Sequence, residues 1–103
     1  MRFLVKVNMQ VEAANAAVKA GTLGSTIQSI LAEQKPEAAY FAADNGQRTG
    51  FLIIEMQSTS QIPAIAEPWF LAFNADIEIQ PVMVPADLAE AGSAIGAAAK
   101  KYS

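Results

Sequence analysis

The chain of 103 residues contains no histidine and no cysteine. Disulfides, thiol nucleophiles, iron–sulfur clusters and zinc–thiolate sites are therefore closed to it. So are Ser-His-Asp triads, histidine acid–base work and histidine-ligated haem. Chemistry falls to carboxylates, lysine, arginine, tyrosine, amides and hydroxyls. No resident cofactor or metal is expected. Asp76 and Glu78 lie two apart but lack a third spaced ligand, so they read as a hydrated edge strand. The segment Gly21-Thr22-Leu23-Gly24-Ser25 lacks the lysine that a phosphate-binding loop needs.

Lys6 and Glu55 have the most to offer. Each sits in a β-favouring run, and the architecture below makes those runs neighbours. A buried Glu55 beside Lys6 suits proton abstraction next to a carbonyl. Glu55 would be the general base, and Lys6 would stabilise the enolate-like intermediate. The plainer alternative is a cross-strand ion pair, or two charges reaching water at the sheet end. The same strand phase carries Asn8, Glu78 and Gln80, with Leu4, Phe51 and Ile53 around them. An apolar cavity with a few convergent polar groups is the usual form of a small-molecule site. Tyr40 and Trp69 could add ring faces to it; the alternative is core or surface aromatics. Arg48, beside a turn, could reach a carboxylate ligand; the plainer alternative is a solvated surface arginine. Asp44 reads as an Asx-type turn former.

These residues need elements to position them. Residues 2 to 9 alternate, with Phe3, Val5, Val7 and Met9 on one side and Leu4, Lys6 and Asn8 on the other. That is a strand, and an interior one. Residues 12 to 34 have helical spacing with a break expected near Gly21 to Ser25, and Pro36 marks the end. The apolar runs 38 to 43 and 49 to 57 flank Asn45-Gly46, a hairpin signal. Phe51-Leu52-Ile53-Ile54 is apolar on both faces and calls for burial on both. Thr59 or Ser60 caps a helix from about Gln61 to Phe73, which Pro68 should kink or restart before Asn74 stops it. Residues 76 to 83 alternate again, with Pro81 indicating an edge or a bulge.

The order β-α-β-β-α-β predicts an α+β fold, a ferredoxin-like sandwich. Its four-stranded antiparallel sheet has both helices on one face and the first and third strands at the centre. Residues 1 to 84 form this subunit; residues 85 to 103, rich in Ala and Gly, form a C-terminal helical tail. The tail reads either as a short helix packed on a partner or as partly disordered chain. The second sheet face would be left bare with Leu4, Phe51, Ile53 and Val82 on it. Such a face needs a cover. Two sheets packed face to face would give a homodimer, a dimeric α/β barrel with a shared interior. The alternative is a monomer shielded by its own tail.

Net charge is −3, and the seven basic residues are scattered. Nucleic acid is therefore not an expected partner. Apolar runs are too short for a membrane span, and no signal-peptide pattern opens the chain, so a cytoplasmic location is the default.

The opening Met1-Arg2-Phe3-Leu4-Val5-Lys6-Val7, with Pro68-Trp69-Phe70 and Asp76-Ile77-Glu78-Ile79, resembles the muconolactone isomerase family. The resemblance implies a dimeric α/β-barrel subunit over residues 1 to 84. It also implies a cofactor-free isomerase acting on a small carboxylated ring compound. Cofactor-free aromatic monooxygenases of the same superfamily hold polyphenols with amides and aromatics, parts that Asn8, Tyr40 and Trp69 could play. A non-catalytic ligand-binding or accessory dimer is the other class.

Overall fold

A computed structural model describes all 103 residues. Strand β1 (Arg2–Asn8) leads into helices α1 (Val11–Ala20) and α2 (Leu23–Gln34), then the hairpin β2 (Ala38–Asp44) and β3 (Gln47–Glu55). A 3-10 turn (Thr59–Gln61) precedes α3 (Ile62–Phe73), β4 (Asp76–Pro81), α4 (Pro85–Glu90) and α5 (Gly92–Tyr102). The sheet order is β2-β3-β1-β4, all antiparallel. This is the expected ferredoxin-like arrangement, with β1 and β3 central.

The expected break falls at Gly21, whose φ of 74° ends α1. Gly21 N–H bonds the Val18 carbonyl and Thr22 N–H reaches the Ala17 carbonyl. This is a Schellman closure, which glycine enters without a Cβ penalty. The hairpin turns on Asn45 (φ 53°) and Gly46 (φ 73°), between the paired Asp44 and Gln47. Two left-handed residues make a turn that matches the strand twist.

Two local expectations change. The cap before α3 is Ser58, not Thr59 or Ser60: Ser58 Oγ accepts from Ser60 N–H, and Gln61 Oε1 accepts from Ser58 N–H. Gln61 supplies the reciprocal half of a capping box, which Thr59 and Ser60 lack. Helix α3 also runs through Pro68 without restarting. Proline there forfeits the bond to the carbonyl four residues earlier, and Ala64 lies on the exposed side.

The core lies between the helices and one sheet face. Val5, Val7 and Met9 of β1 and Leu52 and Ile54 of β3 meet Ala14, Ile30, Trp69 and Phe73. The tail is helical, yet α5 buries none of its residues. It therefore does not shield the second sheet face, and the molecule is elongated, 59 × 27 × 20 Å. No helix is long and apolar enough to cross a membrane.

Candidate functional site on the open sheet face

Residues opposite one another on neighbouring strands share a face, so the register maps the uncovered side row by row. The central row, from β4 to β2, is Glu78, Lys6, Phe51 and Tyr40. On one side of it lie Asp76, Asn8, Thr49 and Ala42, and on the other Gln80, Leu4, Ile53 and Ala38. The sheet thus brings together six of the expected site residues: Lys6, Asn8, Tyr40, Phe51, Glu78 and Gln80. Leu4, Phe51 and Ile53 are only half buried, and Tyr40 is 70% exposed.

The polar centre is built by alternation. Tyr40, Ala42 and Asp44 point to this face from β2, and Lys6 reaches across β3 to Asp44. Lys6 Nζ lies 2.8 Å from Asp44 Oδ2. Asn8 Nδ2 donates to Thr49 Oγ1 at 2.7 Å and makes a longer contact of 3.5 Å to the same Asp44 oxygen. The Thr49 hydroxyl in turn donates to the Gln47 carbonyl at 3.1 Å. The hydrogen bond to Asp44, helped by the charges of Asp44 and Glu78, raises the Lys6 pKa above its ordinary value. The reciprocal bond from Lys6, with a further one from Asn8, lowers that of Asp44. The pair is an ammonium–carboxylate pair, partly open to solvent, and its lysine lies in a row with two aromatic rings.

Asp44 is the residue that sequence reasoning misassigned. Its carboxylate takes Lys6 and Asn8 and not a backbone N–H of the turn. The signal was its parity with Tyr40 and Ala42 along β2.

Lys6 and Glu55 do not pair. Their strands are adjacent, but Glu55 stands opposite Arg2 and Lys6 opposite Phe51. Four residues of extended chain place them about 13 Å apart. Glu55 is exposed and accepts from the amino group of Met1. It borders a separate cavity of about 600 Å³ at the end of the sheet, with Arg2, Val82 and Asp87. Trp69 is on the other side of the sheet altogether. It is fully buried and 6.1 Å from the Phe73 ring, and its indole N–H donates to Gln34 Oε1 at 3.2 Å. Gln34 in turn donates to the Ile65 carbonyl at 2.9 Å. Trp69 is a core residue and does not line the open face, because its helix packs its apolar stripe inward. Arg48 donates to Asn15 Oδ1 of α1 at 2.8 Å. No three His, Cys, Asp or Glu side chains converge as a metal site.

A family model matches residues 1–96: DUF3303, a domain of unknown function. No curated protein matches the sequence. Among solved structures, the chain is similar to 5-chloro-2-hydroxyhydroquinone dehydrochlorinase (TftG) from Burkholderia phenoliruptrix AC1100, in complex with 2,5-dihydroxybenzoquinone. The TM-score is 0.62 at 16% identity, over 81% of this chain and 94% of that one. The de novo designed protein Ferredog-Diesel is similar at a TM-score of 0.45 and 7% identity, over 79% of this chain and 85% of that one. At such identities the likeness to TftG speaks for the fold alone. The chain belongs to the DUF3303 family.

Proposed function

We propose that this member of the DUF3303 family binds a small carboxylated or phenolic ring compound on the open sheet face, inside a space closed when two copies pack face to face. The observation that carries the reading is the Lys6–Asp44–Asn8–Thr49 network set among Leu4, Phe51, Ile53 and Tyr40. The Lys6 ammonium, paired with Asp44, keeps further N–H donors beside an aromatic surface, which suits an oxygen of a flat ring compound. Lys6 would hold the charged oxygen while Asn8 orients a second one. Phe51 and Tyr40 would lie against the ring, with Glu78 and Gln80 at the rim. TftG, of similar fold, is described in complex with a dihydroxybenzoquinone, which makes a phenolic ring the natural first probe.

Catalysis is a second reading, favoured by an ammonium and a carboxylate in contact. Proton abstraction beside a carbonyl, as the resemblance to muconolactone isomerase implies, would use Lys6 as the electrostatic stabiliser. Asp44 is then the carboxylate nearest the ligand. Glu55 serves as the base only for a ligand seated in the cavity at the sheet end.

Titration calorimetry with 2,5-dihydroxybenzoquinone and with muconolactone tests the binding reading. At least one should bind, and Lys6→Met should weaken it tenfold or more. Binding of neither, or a Lys6→Met variant that binds as well as the parent, would overturn it. For the catalytic reading, muconolactone turnover should be absent in Asp44→Asn or in Glu55→Gln; turnover retained in both removes proton abstraction by these groups.

A further inference from the structure

The other side of the sheet holds an opening that the helices leave uncovered. Strand β2 is an edge, and its inward-facing residues are poorly buried: Phe41 is 46% exposed and Ala43 is exposed. The Phe41 ring lies over Gly50 of β3, where a Cβ would stand 3.0 Å from it. A Cβ at position 50 would press on the half-exposed ring, and the ring forms one wall of a cleft. Leu23 and Ile27 of α2 form the opposite wall, Met9 (1% exposed) the floor, and Ala43 the outer edge. The volume is about 340 Å³, at the small end of the range for ligand pockets.

One charged residue lines this cleft, Arg48. Asn15 Oδ1 takes one of its N–H groups, and Arg48 enters none of the three ion pairs of the chain. Its remaining donors form a planar fork that matches a carboxylate. We propose that this cleft between α2 and β2 is a binding site for a carboxylate with a short apolar tail, the tail between Phe41 and Ile27 and the carboxylate on Arg48. The site stands apart from the Lys6 face: Arg48 shares its sheet side with Gly50 and Leu52, and Lys6 points the opposite way.

The test is an amide-shift titration of the isotopically labelled chain with octanoate and, separately, with 1-octanol, which shares the tail and lacks the charge. Octanoate should move the amides of Leu23, Ile27, Phe41 and Ala43, and should bind at least tenfold more tightly than octanol. Arg48→Gln should bring octanoate down to the octanol level, and Arg48→Lys should recover part of the loss. Ala43→Leu should weaken both probes tenfold by filling the cleft. Lys6→Met should change nothing. The proposal is overturned if octanoate fails to bind, or binds no better than octanol. Unchanged binding in Arg48→Gln overturns it too, as do shifts that map to Lys6 and Phe51. Arg48 is exposed, so its variants should fold as the parent does.

Discussion

At the scale of single residues, the Lys6–Asp44 pair has a signed pH dependence. The Asp44 carboxyl is held below its ordinary value of 3.8. Its contribution to stability is therefore complete above that pH and lost as pH falls through the lower folded value. The Lys6 ammonium is held above 10.5, so its contribution is complete below that pH and lost as pH rises through the folded value. Between those limits the pair is fully formed. Asp44→Asn should then lower the urea midpoint modestly at neutral pH, because the pair is open to solvent. The difference from the parent should vanish at the acid end. Urea unfolding of both chains from pH 2 to 7 measures this, and a constant difference across the range would contradict it. The pair was half legible in the sequence. Alternation alone placed Lys6 on the open face, whereas its partner depended on the residue-by-residue register. A reading limited to adjacent strands chose Glu55, on β3, over Asp44, two strands away but within reach of a four-carbon stem.

At the scale of elements, local chemistry was decisive where it allowed only one geometry. Gly21 and Asn45-Gly46 announced a helix end and a turn because few residues enter left-handed backbone without strain. Gly46→Ala should cost about 1–2 kcal/mol for that reason. It should also weaken ligand binding at Lys6, since the turn holds Asp44 at the end of β2. Denaturation and calorimetry on one variant read both effects. Elements whose placement rests on tertiary packing were less legible. Trp69 could face ligand or core from spacing alone, and the bond to Gln34, from a helix 35 residues earlier, decides for the core. Trp69→Ala should cost about 3–5 kcal/mol, as large core truncations do. Trp69→Phe should unfold at lower urea while binding any open-face ligand within twofold of the parent. Equal losses of affinity and stability in the phenylalanine variant would place the ring nearer the ligand than its burial indicates.

At the scale of the whole molecule, two surfaces leave large apolar side chains uncovered. One is the open face, where Leu4, Phe51 and Ile53 remain half covered and Tyr40 is exposed. The other is the arm of α4 and α5. Leu88, Ile95 and Tyr102 recur there every seven residues and are 52%, 56% and 78% exposed. Seven residues is close to two helical turns, so Ile95 and Tyr102 fall along one stripe of α5, while Leu88 stands on α4 before it. A short helix without tertiary contacts is marginal in water, and this arm has no contacts with the sheet that bury any α5 residue. Both surfaces are accounted for if the working unit has two copies: the sheets close on each other, and the arms gain the contacts that the single chain denies them. Sedimentation equilibrium should then return twice the 10.9 kDa of one chain. Ile53→Glu, a charge in the middle of the apolar row, should shift the mass to one chain while the helix and strand content by circular dichroism stays near that of the parent. The same variant should lose the ligand bound at Lys6, because the enclosed interior goes with the second copy. A monomeric parent, or an Ile53→Glu dimer that still binds, would separate the ligand site from the assembly.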